Sequence, residues 1–312
     1  MSVIDKTTPA RHGSMHVMTI DMDAARDFMA THARTLDRRR FELLDGGSDP
    51  AGALAALDGY GNPDGGYGWG LEGDLRSPES QPAAALHAFE VFEQVAPATT
   101  PRARELCDWL ERATLPDGGL PMAVPMALTA GSGPWWHGAD PSESSLQITS
   151  VVAARAWKVA GHDRAVAEHP WLERATAYTL GAVAALEQAP GGYVLAFCIQ
   201  FLDAVHDHRP EAADLLRTLG GMVPADGHVP VHGGAEDEKL RPLDLSPDPG
   251  APSRALLDPA VVEADLDRLA GGQREDGGWT VDFESRSPAG RLDWRGYATV
   301  EAVAVLRRNG RD

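Results

Sequence analysis

The stretch that decides the fold is DLDRLAGGQREDGGW, which runs from Asp265 to Trp279. It ends in an Asp-Gly-Gly turn, and glycine supplies the positive φ angles of a tight turn without a Cβ clash. Similar turns recur along the chain, at Pro63–Gly66, Pro116–Gly119 and Pro190–Tyr193, with a degenerate copy at Ala225–His228. Recurrence at broadly regular intervals predicts repeated hairpins that stack on their neighbours.

The segments between these turns carry apolar residues at three- and four-residue spacing, which predicts helices. Their apolar content is mainly Ala and Leu, and alternating β-branched runs are missing, so we expect an all-α protein with little or no sheet. Helix starts are predicted near residues 79, 143, 193 and 293 in one set, and near 22, 101, 170, 210 and 259 in the other. Long loops are predicted at 121–139 and 229–258, and either could act as a lid.

Composition excludes several classes of protein. The 312 residues carry a formal net charge of -18, which repels nucleic acid. No apolar run of about 18 residues and no signal-peptide pattern occurs, so we expect no integral membrane segment. The two cysteines, Cys107 and Cys198, fit reduced core thiols in a cytoplasmic protein. We predict a flexible N-terminal segment at 1–20 and a single domain at 21–312.

The stretch from Asp265 to Trp279 resembles the QW repeat of squalene-hopene cyclases and their relatives. In that family the Gln caps a helix end and the Trp packs over it. Looser copies at 63–67 and 116–120, and the pattern from Tyr297 to Ala302, extend the similarity over most of the chain. The resemblance implies a stand-alone α/α toroid, a closed ring of helical hairpins of the terpenoid-cyclase and protein-prenyltransferase type.

The chain also departs from that family. It lacks the Asp-x-Asp-Asp acid motif, and its nearest imitation, at 265–268, falls on the QW helix. The zinc pattern of the prenyltransferases is not met, because Cys107 is followed by Asp108 and Cys198 has no Asp two residues before it. The pair His228 and His232 has Pro230 between them, which precludes a regular helix. We therefore expect no metal and no other cofactor.

The resemblance places the inner-helix N-termini, and the loops before them, around a common cavity, and this selects the candidate residues. The catalytic candidates are Glu72, Asp74, Glu79, His137 and Glu143. The substrate-binding candidates are Tyr67, Trp69, Gln81, Trp135, Trp136, Gln147, Tyr193, Asp293, Trp294, Arg295 and Tyr297.

Several of these residues have a structural alternative. Glu143 fits a capping box with Asp140, so it can serve the helix start instead of catalysis. Trp135 and Trp136 can line a pocket or plug the core. Arg295 and Arg76 can each bind an anionic group. Arg295 can instead form an ion pair with Asp293. Glu72 and Glu79 have no such local task, and desolvation near aromatic rings would raise their pKa values toward those of proton donors.

The function implied by the resemblance is binding of an apolar, isoprenoid-type small molecule inside the toroid, with acid-initiated cyclisation or isomerisation if the protein is catalytic. One alternative is a carbohydrate-processing toroid, in which carboxylates flank a glycosidic bond and Trp faces stack on sugars. The other is a non-catalytic ring that binds a ligand or a partner chain. A protein partner or a homo-oligomer is compatible with each.

Overall fold

The computed structural model describes residues 19–283 and 285–311. Most of them are helical, as predicted, and one antiparallel pair of two-residue strands is present, β1 (Val229–Pro230) and β2 (Lys239–Leu240). The segment predicted to be flexible, 1–20, lies outside the described residues except for its last two. The helices are α1 (Met22–Thr31), α2 (Thr35–Leu44), α3 (Pro50–Asp58), α4 (Pro82–Gln94), α5 (Pro101–Ala113), α6 (Pro134–His137), α7 (Leu146–Ala160), α8 (Arg164–Ala167), α9 (Pro170–Ala184), α10 (Gly192–Val205), α11 (Ala212–Gly220), α12 (Pro242–Leu245), α13 (Pro259–Ala270) and α14 (Pro288–Arg308), with a 3₁₀ turn at Pro252–Leu256.

Many helix starts follow one local rule, a capping side chain before a proline. Asp49, Thr100 and Asp258 each precede a proline and accept a hydrogen bond from a first-turn amide. Proline fits the first helical position because the amide that it lacks would have no partner there. Helices begin where the sequence predicts them near 22, 101, 170, 193, 210 and 259, although the starts near 22, 193 and 210 have no proline at the first helical position.

Three predicted starts were wrong by three to five residues. Asp140 caps only a turn, accepting hydrogen bonds from Ser142, and no helix begins until Ser145, which caps α7. The Ser145 amide donates to the Leu120 carbonyl at 2.7 Å, which holds the segment off the helix. Helix α4 likewise begins at 82 instead of 79. Helix α14 begins at 288 instead of 293, because Ser287 caps it ahead of a proline.

The helices pack in two rows. In one row α4 packs against α7, α7 packs against α10, and α14 packs against α2, which also contacts α4. In the other row α5 contacts α9, and α9 contacts α11. Buried apolar side chains from Ala25 to Leu306 form one continuous core cluster.

Three of the glycine turns pack on the N-terminal half of another helix, whereas the turn at Pro190–Tyr193 contacts β1 instead. A Cβ at Gly65 would lie 2.8 Å from the Glu105 carbonyl of α5, and one at Gly118 would lie 3.1 Å from the Arg174 carbonyl of α9. The last turn makes the closest approach, since a Cβ at Gly277 would lie 2.0 Å from the Ala24 carbonyl of α1. All three glycines have positive φ, so they serve both the turn and the contact.

The QW-like turn joins the two ends of the described chain. The Gln273 side chain accepts a hydrogen bond from the backbone N–H of Asp21 at 2.8 Å. It also donates to the backbone carbonyl of Asp21 at 2.7 Å. The Trp279 indole is buried and donates to the Leu269 carbonyl near the end of α13 at 2.7 Å. The Trp therefore packs over a helix end, as the resemblance implies, whereas the Gln binds the N-cap residue of α1.

The two segments predicted as long loops contain short elements. Helix α6 lies within 121–139, and the β1–β2 hairpin, α12 and the 3₁₀ turn lie within 229–258. Asp248 in the second segment pairs with Lys158 of α7 at 3.1 Å and with Arg308 of α14 at 3.0 Å. This segment thus connects two elements that are distant in sequence.

Among residues 19–283 and 285–311, no helix combines the length and the apolar character that crossing a membrane would require.

The contact between the last turn and α1 can be tested with two matched glycine variants. Gly277 and Gly46 have φ angles of +89° and +87°, but a Cβ at Gly46 would meet nothing within 4 Å. Gly46→Ala should therefore lower the free energy of unfolding by only about 1 kcal/mol, the cost of a left-handed conformation. Gly277→Ala must also push the turn off α1, so we expect a loss of at least about 3 kcal/mol in urea unfolding. Equal losses would contradict the packing described.

Candidate functional site

A cluster of buried charges lies where α2, α4, α7 and α14 meet. Arg40 of α2 binds Glu301 of α14 at 2.7 Å and lies 3.5 Å from Glu90 of α4. Arg155 of α7 lies 3.6 Å from the other oxygen of Glu90 and 3.2 Å from Glu93. Arg40 and Glu90 are almost fully buried. Burying charges is costly unless each one is paired, so these contacts constrain the four helices together.

His87 extends the cluster toward the loop before α4. Its Nδ1 lies 3.1 Å from Glu90 and its Nε2 lies 2.9 Å from Glu72, and all three side chains are buried. Burial alone would lower the pKa of the imidazole, but the carboxylates of Glu90 and Glu72 outweigh it and raise the pKa of His87 to about 9. At neutral pH both ring nitrogens therefore carry protons, and His87 donates to both carboxylates.

Glu90 is the centre of the cluster. Burial would raise the pKa of its carboxyl, but His87, Arg155 and Arg40 hold that pKa well below its ordinary range. The second oxygen of Glu90 accepts a hydrogen bond from the Tyr297 hydroxyl at 2.9 Å. Burial and the nearby Glu90 and Glu301 carboxylates raise the pKa of Tyr297 well above its ordinary value, so the phenol stays protonated as a donor.

Asp74 lies next to this chain of hydrogen bonds. Its amide donates to Glu72 at 3.1 Å, and its carboxylate accepts the Trp294 indole N–H at 2.8 Å. The other oxygen accepts the Ser285 hydroxyl at 2.7 Å and the Arg286 amide at 3.2 Å. The loop before α4 and the segment before α14 are thereby joined through one carboxylate.

Aromatic rings surround the cluster on this side. Trp294 meets Tyr297 edge to face with ring centroids 5.4 Å apart, and it meets Phe283 at 5.1 Å. His87 packs edge to face on Tyr297 at 5.1 Å. Trp294 and Tyr297 are only half-buried. They therefore offer apolar surface beside the Glu72, Asp74 and His87 groups.

Tyr193 at the start of α10 lies within the electrostatic range of the cluster. Its hydroxyl donates to Glu238 of the β1–β2 hairpin at 2.9 Å. Burial, the bond to Glu238 and the charges of Asp244 and Glu72 all raise the pKa of Tyr193 above its ordinary value. Among the sequence candidates, the structure thus joins Glu72, Asp74, Trp294 and Tyr297 through direct contacts, with Tyr193 near them.

Two other candidates serve the loop at 121–139. The Gln81 side chain donates to the Val124 carbonyl at 3.1 Å and accepts the Val124 amide at 3.0 Å. Glu79 accepts the Ala127 amide at 3.1 Å and the Ser77 hydroxyl. The Ser77 bond, with the Ala127 amide, lowers the pKa of Glu79. The expected raised value was therefore wrong for this residue.

The remaining candidates fall into three groups. The exposed candidates are Trp69, Trp135, His137 and Glu143, whereas Tyr67 and Trp136 are core residues and Gln147 is half-buried. Asp293 pairs with Arg76 at 2.6 Å. Arg295 pairs with Asp276 at 2.7 Å, not with Asp293. Glu143 does not cap α7, since Ser145 does, so its predicted capping box was wrong.

Sequence reasoning missed His87, Glu90, Arg40, Arg155 and Phe283 as members of the cluster. A pattern that could have found two of them is present in α4. His87 and Glu90 are spaced three residues apart within the otherwise apolar run PAAALHAFEVF, so they share one helix face that must be buried. Ionisable groups on such a face need partners, and here the partners come from other helices.

The described residues contain no group of three or more His, Cys, Asp or Glu side chains that could hold a metal ion. The cluster is instead a network of hydrogen bonds between ionisable side chains. It contains one imidazolium, a phenol and carboxylates that accept hydrogen bonds, next to half-buried aromatic rings. These groups can bind an apolar ligand and can favour positive charge near Trp294.

The charge on His87 makes stability depend on pH. The folded-state pKa of about 9 exceeds the ordinary value of 6.5, so the stabilisation is complete below pH 6.5 and is lost as the pH rises through 9. The shift corresponds to about 3 kcal/mol. In urea unfolding, His87→Gln should be less stable than wild type by about that amount at pH 6, and the difference should shrink at pH 9.5. A difference that does not change with pH would contradict the ion pairing.

No protein-family model matches the chain, and no curated protein matches it. The functional argument therefore depends on the arrangement of the side chains described above.

Proposed function

We propose that the helices close into an α/α toroid whose interior binds an apolar, isoprenoid-type small molecule beside Trp294 and Tyr297. The toroid is supported by the repeated contact of three glycine turns with another helix. The turns at 65 and 118 pack on α5 and α9, and the last turn packs on α1, the first helix described. A chain whose last repeat packs on its first repeat in the same way has the contacts of a ring.

The observation that carries the binding proposal is the half-buried aromatic pair next to a cluster of buried ion pairs. The charges of Arg40, Glu90 and Arg155 are paired with one another and with Glu301 and Glu93, so they require no charged ligand. Trp294 and Tyr297 keep exposed surface with their polar atoms already bonded to Asp74 and Glu90. What they leave for a ligand is their ring faces, and ring faces favour apolar groups or positive charge.

The geometry favours binding over acid-initiated cyclisation. An acid that starts cyclisation must donate a proton, but both oxygens of Glu72 accept hydrogen bonds, one from the Asp74 amide and one from His87. A pKa of about 9 makes His87 a weak acid at neutral pH. The Glu72–His87 ion pair is therefore poorly suited to protonating an alkene.

Binding can be measured with farnesol as the probe, by titration calorimetry. Trp294→Ala removes one of the two half-buried rings of the site, and we expect it to weaken farnesol binding at least tenfold, about 1.4 kcal/mol. Trp69→Gly is the matched control, because Trp69 is exposed elsewhere and its backbone already has the positive φ that glycine prefers. Equal farnesol affinity in wild type and Trp294→Ala would contradict the proposed site, and so would tighter binding of maltotetraose than of farnesol.

Turnover separates binding from catalysis. Wild-type protein incubated with farnesol or with prenyl diphosphates should return them unchanged in product analysis by gas chromatography and mass spectrometry. A cyclised or isomerised product that disappears in Glu72→Gln, with binding retained, would contradict the preference for binding and make Glu72 the acid.

A further inference from the structure

A surface groove of about 420 Å³ lies on the loop before α4, and its lining is distinct from the charged cluster. It is lined by Asn62, Pro63, Asp64, Trp69, Pro78, Glu79 and Ser80. Trp69 dominates it, with 58% of its surface exposed. The resemblance had placed Trp69 in the interior cavity, but the structure places its ring in this groove. The groove therefore needs an explanation of its own.

The Trp69 ring is held rigidly although it is exposed. Its φ angle is +57°, which is rare for a bulky residue. Its amide donates to the Ser77 carbonyl at 2.7 Å, and its indole N–H donates to Asn62 Oδ1 at 2.9 Å. One ring face thus stays open to solvent in a fixed orientation. A ligand that stacks on it would order no further side chain.

The hydrogen-bond donors of the groove are already used within the protein. Asn62 Nδ2 donates to the Pro78 carbonyl at 2.9 Å and to Ser80 Oγ at 3.0 Å. The Ser80 hydroxyl donates to Asp64 Oδ1 at 2.7 Å. What the groove still offers is acceptor capacity on the Asp64 and Glu79 carboxylates. A sugar needs donors as well as acceptors, so the groove fits a ligand that only donates.

The charges of the groove also favour a ligand that donates hydrogen bonds and carries positive charge. The lining contains two carboxylates and no basic side chain. The pKa of Glu79 is lowered by the Ser77 hydroxyl, which keeps it ionised at neutral pH. The neighbouring Arg112 donates to the backbone carbonyl oxygen of Asp64 at 2.5 Å and not to its carboxylate. A cation over the Trp69 ring would therefore meet a favourable ring face and two negative charges.

The size of the groove favours a peptide over a free amine. One ammonium group would fill only part of 420 Å³. Ala127 binds Glu79 through its amide, so the next residue, the exposed Leu128, lies one residue from a contact with the groove lining. An exposed Leu beside a cation site suits a segment that alternates basic and apolar side chains.

We propose that this groove docks an extended segment of a partner protein, with an Arg or Lys side chain over Trp69 between Asp64 and Glu79 and an apolar side chain against Leu128. The site is separate from the interior proposed to bind farnesol, so the two can be tested independently.

The probe is the capped peptide Gly-Arg-Leu-Arg-Leu-Arg-Gly, titrated into the full chain by calorimetry. We expect it to bind at least tenfold more tightly than the capped peptide Gly-Glu-Leu-Glu-Leu-Glu-Gly, and to weaken as salt is added. Trp69→Gly should lose at least tenfold in affinity, and so should the double variant Asp64→Asn, Glu79→Gln. Trp294→Ala is the matched control and should bind the basic peptide like wild type.

Three results would overturn the docking proposal. One is unchanged peptide affinity in Trp69→Gly, provided that its urea unfolding matches wild type. Another is equal affinity for the acidic peptide, which would remove the role of charge. The third is binding of spermidine or maltotetraose as tightly as the basic peptide, which would assign the groove to a small amine or to a sugar.

Discussion

The backbone of one helix lies directly against a glycine of another repeat, and the packing of the whole chain depends on this contact. A side chain at Gly65, Gly118 or Gly277 would overlap or crowd a carbonyl of α5, α9 or α1. The same glycines need positive φ to turn the chain, so two requirements select one residue type at each turn. The absence of a side chain at these glycines therefore allows successive repeats to approach each other closely.

Once the helices are this close, the charges between them must be paired. Glu90 contacts His87, Arg40 and Arg155, which come from three different helices, and Glu301 of a fourth helix completes the set. Removing one partner would leave another charge buried and unpaired, which is costly. The network thus fixes the relative positions of α2, α4, α7 and α14, and with them the positions of Trp294 and Tyr297. The aromatic surface proposed to bind the ligand is a consequence of this arrangement.

Much of the helical architecture could be predicted from local sequence, because turns and N-caps are local. The site was only partly predictable. The sequence identified Glu72, Asp74, Trp294 and Tyr297 because they lie before or within predicted helices. His87 and Glu90 lie inside an apolar helix, and their role depends on partners that are distant in sequence. Glu79, Gln81 and Trp69 share the loop with Glu72, but their side chains bind the neighbouring loop or face outward. Spacing along the chain does not reveal such orientations.

The most direct test of the central claim is native mass spectrometry of wild-type protein freshly purified from its host, followed by identification of any molecule released on denaturation. We predict a bound apolar molecule of isoprenoid or related lipid type that leaves only when the fold is lost. A protein that is empty in its native charge states, or one that releases a sugar, would contradict the proposal that the interior beside Trp294 and Tyr297 is a site for an apolar ligand.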